Sequence, residues 1–166
     1  FHNSTDVTCV PSQYTEQALR SFGVTCPLVV VGRGVDTVKF SPKYRSQQLR
    51  QQWGVDTNTR VMLYVGRLSP EKEVDVLIRG FHALQAQQGT NIKFVIVGDG
   101  PDRIRLSKLT TSHDVIFTGS LSGRELAMAY ASADVFTFAS QADTFGNVVL
   151  EAIASGLPVI AYDYVC

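Results

Sequence analysis

The sequence predicts an α/β fold in which a parallel β-sheet is covered by helices on both faces. Short apolar runs rich in β-branched residues alternate along the 166 residues with stretches of helical periodicity. Uninterrupted apolar runs are typical of strands buried on both faces, and their alternation with helices is typical of a doubly wound sheet. Because ligands of such sheets bind beyond the carboxyl ends of the strands, the loops that follow the strands are the first candidates for a functional site.

Six apolar runs are predicted to be strands: residues 29–31, 61–65, 94–97, 115–117, 135–138 and 159–161. One stretch between them repeats its apolar residues every three or four positions, which predicts a helix; these residues are Val74, Leu77, Ile78, Phe81 and Leu84. Residues 121–131 are predicted to form another helix, since Ser122 and Glu125 have the spacing of a capping box. A further helix is predicted over residues 147–155, where Gly156 ends it.

The composition is that of an ordinary globular protein without a charge surplus. Lys and Arg number 15, and Asp and Glu also number 15, so the formal net charge is zero. Because nonspecific nucleic-acid binding depends on surplus positive charge, we expect no nucleic-acid partner. The three cysteines form no C-x-x-C pair, which argues against a disulfide scaffold or a zinc site and favours a reducing compartment.

The loop after residues 61–65 contains two cations near a strand end. Gly66 lets the chain turn, and Arg67 and Lys72 follow before the next helix. Fixed cations beside a helix start suit a diphosphate, because they add to the amide donors of the helix. The alternative interpretation is equally open: Lys72 pairs with an acidic neighbour, and Arg67 is a solvated loop residue.

Two glycines flank Asp99 in the loop after residues 94–97. Gly98 and Gly100 permit a tight turn, and a turn without further function is the favoured interpretation of Asp99. Close approach of a ligand to the backbone would also explain the two glycines. The sequence continues without a G-x-G-x-x-G fingerprint, so a dinucleotide cofactor is not favoured.

The loop after residues 135–138 leads into a helix that starts near Gly146 and Asn147. The unpaired amides of a helix start suit an anion, and two carboxylates eight residues apart, Asp143 and Glu151, suit two parts of one ligand. Alternatively, Asp143 or Thr144 merely caps the helix. Cations bind phosphates, and carboxylates accept hydrogen bonds from sugar hydroxyls. The three loops together therefore predict a nucleoside diphosphate sugar as the ligand.

Four segments of the chain resemble a known enzyme family. They read G-R-G-V-D-T-V-K-F-S-P from residue 32, V-G-R-L-S-P-E-K from residue 65, V-G-D-G-P from residue 97 and D-T-F-G-N-V-V-L-E-A-I-A-S-G-L-P-V from residue 143. In this order they resemble the second domain of family 4 retaining glycosyltransferases, which have the GT-B architecture of two Rossmann-like domains. The form with Arg33 and the later A-Y-D-Y are most similar to bacterial members that use GDP-mannose.

The resemblance, which covers nearly the whole chain, implies roles for the loop residues. Arg67 and Lys72 would bind the donor diphosphate and act in catalysis together with Asp143. Asp143 stands in place of the first glutamate of an E-x7-E pair and would touch the donor sugar, while Glu151 would touch the ribose. The resemblance places further residues at the cleft entrance, near the base, or beside the phosphates and the sugar: Gly34, Gly98, Thr118, Gly119, Ser120, Phe145, Gly146 and Asn147.

The resemblance also implies a larger enzyme. Residues 1–25 would be the tail of an N-terminal acceptor domain with its linker, and residues 26–166 a donor-binding domain truncated at its C-terminus. The implied reaction transfers a hexosyl group, mannose being one candidate, from GDP-mannose or a UDP-sugar with retention and without a cofactor or metal ion. The acceptor, a glycan or lipid, would bind to the other domain. The enzyme would be cytoplasmic, with peripheral association at the inner face of the membrane, and the fragment alone would transfer no sugar.

Two other functional classes stay open from the sequence. A nucleotide-sugar epimerase of related architecture would bind the same ligand, but it needs acid and base residues in the cleft, and His2, His82 and His113 are scattered. A doubly wound domain that binds a nucleotide without catalysis is the second alternative. Transfer activity of the full-length protein would separate these classes.

Overall fold

Strands and helices alternate along the chain, as the apolar pattern predicts. The structure is a computed structural model that describes residues 2–87, 91–110, 113–140 and 146–162. Its strands are β1 (Thr8–Val10), β2 (Leu28–Val30), β3 (Arg60–Val65), β4 (Ile92–Val97), β5 (Val115–Gly119), β6 (Val135–Phe138) and β7 (Val159–Ala161). Its α-helices are α1 (Gln13–Ser21), α2 (Gln47–Gln52), α3 (Val74–Gln85), α4 (Arg103–Lys108), α5 (Gly123–Ser132) and α6 (Asn147–Ala154). Short 3₁₀ helices cover His2–Ser4, Pro42–Tyr44 and Pro70–Lys72.

Five of the six predicted strands form one parallel sheet in the order β5-β4-β3-β6-β7. The chain moves outward from β3 through β4 to β5 and then returns to the opposite side of β3 at β6. Because crossovers between parallel strands are right-handed, this reversal puts the connecting helices on both faces of the sheet. The predicted doubly wound fold is therefore confirmed. Its switch point lies between β3 and β6, where ligands of such sheets bind.

The sixth predicted strand, near residues 29–31, belongs elsewhere. It forms β2, which pairs in parallel with β1 in a separate two-stranded sheet. The helix between them, α1, begins after Ser12, whose hydroxyl accepts a hydrogen bond from the Thr15 amide at 3.2 Å. The domain boundary at residue 25 stays a prediction.

The core lies between the five-stranded sheet and its helices. Residues 61–65 and 94–97 are all buried, as expected for central strands covered on both faces. Phe81 of α3 packs onto this sheet, with its ring centroid 5.7 Å from that of Phe94. Full burial of such a side chain contributes about 1.5–3 kcal/mol. The most buried segments are therefore the two strands whose carboxyl ends carry the first two candidate loops.

A partly buried carboxylate, Asp134, connects α2 to the start of β3 and β6. It accepts hydrogen bonds from Arg45 at 2.8 Å, from Arg50 at 2.9 Å and from the Val61 amide at 2.8 Å. Arg50 is only 5% exposed and also donates to the Thr59 and Ser132 carbonyl oxygens. Burial by itself would raise the pKa of Asp134, but the hydrogen bonds from the two arginines and the amide lower it below its usual value. The carboxylate is therefore held in its charged form.

We expect Asp134→Asn to lower the free energy of unfolding by about 3 kcal/mol at pH 7, because it leaves the Arg50 guanidinium buried without its counter-charge. The folded pKa of Asp134 is depressed, so its stabilisation is fully present above the unfolded pKa of about 3.9 and is lost as the pH falls through the lower folded pKa. Urea unfolding of wild type and variant at pH 7 and pH 3 measures both effects.

Asp75→Asn is the control, since Asp75 pairs with the exposed side chain of Arg79 within α3. Its cost should stay below about 1 kcal/mol. An Asp134→Asn cost that is the same at pH 7 and pH 3 would contradict the role given to the charged carboxylate.

Candidate functional site

A cavity of about 290 Å³ lies at the carboxyl ends of β3, β4 and β5. The loops after these strands line it together, as their parallel order requires. The residues that line it are Val65, Gly66, Arg67, Val97, Gly98, Asp99, Ser120 and Leu121. The structure thus brings the first two predicted loops and the turn after β5 to one place beside the switch point.

The first two loops are in direct backbone contact, and this contact explains Gly98. Leu68 donates its amide to the Asp99 carbonyl at 2.9 Å, and Gly66 donates to the Val97 carbonyl at 3.0 Å. Gly98 has a φ of +139°, and a Cβ atom there would overlap the Gly66 carbonyl oxygen. The chain's own backbone therefore requires a glycine at this position, whether or not a ligand also approaches it.

Asp99 has the local role that the turn interpretation favours. Its carboxylate accepts the Gly100 amide at 2.7 Å and pairs with Arg103 at 3.1 Å. Thr118 donates its hydroxyl to the Gly119 carbonyl at 2.9 Å, and that carbonyl also accepts the Gly98 amide at 2.8 Å. The predicted residues Gly98, Thr118 and Gly119 are therefore neighbours.

The two cations of the first loop flank one carboxylate, Glu71. Ser69 donates its hydroxyl to Glu71 at 2.6 Å, and this hydrogen bond, followed by the charges of Arg67 and Lys72, lowers the pKa of Glu71. The interpretation in which the lysine has an acidic neighbour thus has structural support, and Arg67 is exposed. Helix α3 begins only after the 3₁₀ turn and Glu73, so Lys72 precedes the helix rather than opening it.

The third loop leads into α6 through a glycine. Gly146 occupies the N-cap position in the left-handed region, with φ 55°, and has no side chain that could cap the helix. Gly146 therefore fills the N-cap position itself, and capping of α6 by the side chain of Asp143 or Thr144 stays a prediction. Asp143, Thr144 and Phe145 lie outside the described residues. The first turn of α6 itself carries no acidic residue, and the amides of a helix start favour negative charge.

The predicted carboxylate Glu151 lies about one turn inside α6 and is held by a buried tyrosine. Tyr130 of α5, which is fully buried between the rings of Phe40 and Phe136, donates its hydroxyl to Glu151 Oε2 at 2.9 Å. Burial raises the pKa of Glu151, while the hydrogen bond from Tyr130 and the charge of Lys39 lower it again in part. Burial, followed by the charge of Glu151, raises the pKa of Tyr130, so the phenol stays a donor.

The sequence did not point to Tyr130 or Lys39. Tyr130 lies in the run A-M-A-Y-A-S-A, where it cannot be distinguished from an ordinary core aromatic residue. Gly34, a predicted site residue, does not line the cavity beside Arg67. It is exposed, and a Cβ atom there would meet no atom within 4 Å.

The arrangement has close counterparts among known proteins. Residues 45–166 match the family of group 1 glycosyl transferases, and the chain belongs to this family. It is 45% identical over 164 residues to a GDP-mannose-dependent alpha-mannosyltransferase of Mycobacterium tuberculosis, covering 98% of this chain and 40% of the relative. It is 38% identical over 164 residues to the sulfoquinovosyl transferase SQD2 of Arabidopsis thaliana, covering 97% and 31%.

The fold matches solved structures of the same class. Anabaena HepE, solved in complex with UDP and glucose, superposes with a TM-score of 0.81 at 26% identity, covering 98% of this chain and 46% of that one. The expected Rossmann-like half of a GT-B glycosyltransferase is thus confirmed. The chain spans less than half the length of each of these relatives. Membership in a transferase family favours the transferase over the epimerase and the non-catalytic module.

The described residues offer neither a cluster of metal ligands nor a membrane span. They contain no group of three or more His, Cys, Asp or Glu side chains placed to hold a metal ion. They also contain no helix with the length and apolar character that a bilayer span requires.

We expect Gly98→Ala to lower the free energy of unfolding by at least about 2 kcal/mol, because the new Cβ overlaps the Gly66 carbonyl and the φ of +139° strains any other residue. Gly80→Ala is the control, since Gly80 is exposed in α3 with open space around it. It should stabilise the protein by about 0.5–1 kcal/mol. Thermal unfolding of both variants measures this, and an unchanged melting temperature for Gly98→Ala would contradict the packing of the two loops.

We expect Tyr130→Phe to raise the pKa of Glu151 further, because the hydrogen bond that lowers it is removed. A pH titration of the Glu151 carboxyl carbon by NMR measures the shift. Tyr64→Phe is the matched control, since this buried phenol donates to the Arg67 carbonyl instead, at 3.0 Å. If both variants leave the pKa of Glu151 where it is in the wild type, Tyr130 does not control this carboxylate.

Proposed function

We propose that this chain is the donor-binding part of a retaining hexosyltransferase that uses a nucleoside diphosphate sugar. The observation that carries the proposal is the arrangement at the switch point. Arg67 and Lys72 both lie close enough to Glu71 to lower its pKa, and α6 starts across the switch point with an N-cap glycine. Cations and the amides of a helix start at one edge of a sheet are the features that a diphosphate needs.

Arg67 and Lys72 act on the leaving group in this proposal. When the bond between the sugar and the diphosphate breaks, negative charge grows on the diphosphate. Two fixed cations and the first amides of α6 stabilise that charge more in the transition state than in the ground state, which is what accelerates the reaction. The acidic neighbour Glu71 is exposed and already accepts from Ser69.

Glu151 binds the ribose in this proposal. Tyr130 donates to one of its carboxylate oxygens, which leaves the other oxygen to accept a hydrogen bond from a ribose hydroxyl. The phenol also fixes the direction of the carboxylate, because its own ring is packed between two others. Asp143 touches the transferred sugar, and the backbone near Thr118, Gly119 and Ser120 meets the base.

GDP-mannose is the first candidate for the donor, and a UDP-sugar is the second. The name of the mycobacterial relative supports GDP-mannose, while the plant relative transfers sulfoquinovose and HepE binds UDP. The acceptor, a glycan or a lipid, binds to a second domain of the complete enzyme, which works at the cytoplasmic face of a membrane.

We expect calorimetric titration of this chain to show selective binding of GDP over UDP and ADP. Arg67→Ala combined with Lys72→Ala should weaken that binding by about a hundredfold, since each charge-assisted contact to a phosphate is worth about 1.5 kcal/mol. The chain alone should transfer no mannose from GDP-mannose to water or to added acceptors.

The matched control removes two cations elsewhere. Arg60 is exposed at the amino end of β3, and Lys108 is exposed at the end of α4, so neither lies at the carboxyl edge of the sheet. The variant Arg60→Ala with Lys108→Ala has the same net charge as the variant Arg67→Ala with Lys72→Ala. It should bind GDP like the wild type. Equal losses in both double variants would mean that general charge, not a built site, attracts the nucleotide. Selective binding of UDP would make a UDP-sugar, not GDP-mannose, the proposed donor.

A further inference from the structure

A second cavity lies next to the donor site, on the side of α2 and α5. It has a volume of about 520 Å³, compared with about 290 Å³ for the cavity beside Arg67, and it opens between α2, β5 and α5. Leu121 contributes to both cavities, so they lie on either side of this residue. Cavities of about 300–1,000 Å³ are the usual size for small-molecule sites.

The floor of this cavity is apolar. The side chains that form it come from all three elements and the turn before α5: Leu49, Trp53, Ile116, Leu121 and Met128. Trp53 is only 6% exposed, so the floor is a fixed part of the core rather than a set of mobile surface groups. An apolar floor of this kind suits the C–H face of a flat or ring-shaped ligand.

The rim of the cavity carries three polar side chains without a hydrogen-bond or ion-pair partner among the described residues. Gln48 and Gln52 lie four residues apart on one face of α2, and Glu125 lies on α5. Within the described residues, none of these three side chains makes a hydrogen bond or ion pair. The other two polar lining residues are already used: Ser46 accepts the Leu49 amide at 3.1 Å, and Thr118 donates to Gly119.

Glu125 is available because the predicted capping box does not form. Ser122 is the N-cap residue of α5, as its spacing from Glu125 predicts, but its side chain makes no capping hydrogen bond. Glu125 instead lines the cavity, opposite the two glutamines. A carboxylate that has the sequence position for a local role, but lines a cavity instead, is a candidate ligand-binding group.

The chemistry of the lining selects a neutral, hydroxyl-rich ligand. No Lys or Arg is among the described residues that line the cavity, so an anion would meet only the repulsion of Glu125. The amides both donate and accept hydrogen bonds, and the carboxylate accepts them. Sugar hydroxyls need both kinds of partner, whereas an ammonium group would use only the carboxylate.

We propose that this cavity is an accessory carbohydrate site that binds a neutral hexoside apart from the donor site. The apolar floor packs against the ring face of the sugar, and Gln48, Gln52 and Glu125 bind its hydroxyls. The three side chains that bind the hydroxyls are not donor-site residues, although Thr118, whose backbone is assigned to the base of the donor, also lines this cavity.

NMR titration of the ¹⁵N-labelled chain with methyl α-mannoside and methyl β-glucoside tests the site. We expect saturable shifts for the signals of Gln48, Gln52 and Glu125, with dissociation constants in the millimolar range. Gln52→Ala and Glu125→Gln should each weaken binding by about fivefold, the effect of one lost hydrogen bond. Gln51→Ala is the matched control, since Gln51 is also exposed on α2 but does not line the cavity. It should leave the affinity unchanged.

The donor site is excluded by two further measurements on the same samples. The variant Arg67→Ala with Lys72→Ala should bind the hexosides like the wild type, and saturating GDP should not displace them. Displacement by GDP would overturn the proposal, because the sugar would then be in the donor site. It would also be overturned if the shifts are absent, if Gln51→Ala weakens binding as much as Gln52→Ala does, or if only an alkylammonium probe shifts these signals. Absence of GDP binding with intact hexoside binding would remove the donor proposal and leave this one standing.

Discussion

Strand β3 is paired on both of its edges, with β4 on one side and β6 on the other, and both candidate sites depend on that pairing. Because its neighbours are parallel, each connection must cross over a face of the sheet. The chain therefore starts every strand at the same end of the sheet. The carboxyl ends of β3, β4, β5 and β6 therefore share one edge of the sheet. Residues that are up to 85 positions apart, such as Gly66 and Glu151, are brought to that edge by the order of the strands.

Much of the fold could be predicted because its strands are uninterrupted apolar runs in the central sheet. Strand β1 and helix α2 gave no such signal. The first has three residues, and the second is a polar six-residue helix that depends on Arg50 and its contacts with residues 59, 132 and 134. At Ser122 the sequence predicts a capping box that does not form. The spacing of Ser122 and Glu125 is present, but Glu125 lines the cavity beside α5 instead. Long-range contacts decide these elements, and a local pattern does not contain them.

The candidate site was predictable to a similar degree. Arg67 and Lys72 lie in the loop after β3, and Glu151 lies in the helix that follows β6. Their positions after strand ends made them candidates before any contact was known. The glycines of the second loop had two explanations in the sequence, and the structure provides a physical cause for Gly98 in the carbonyl of Gly66. Backbone hydrogen bonds join the first two loops, and the Arg67 carbonyl also accepts from the Tyr64 phenol. These contacts use main-chain atoms of Arg67 and its neighbours, so exchange of the Arg67 side chain should leave the path of the loop unchanged.

Helix α5 joins the two candidate sites. Glu125 at its first turn lines the larger cavity, and Tyr130, five residues further along, donates to Glu151 at the donor site. Five residues correspond to about 7.5 Å of helix rise. A small rotation of α5 would therefore change the geometry of both sites at once. Such a connection would link the two sites thermodynamically, and the linkage would be reciprocal. A ligand in the larger cavity would change the affinity for a nucleotide by the same factor by which the nucleotide changes the affinity for that ligand.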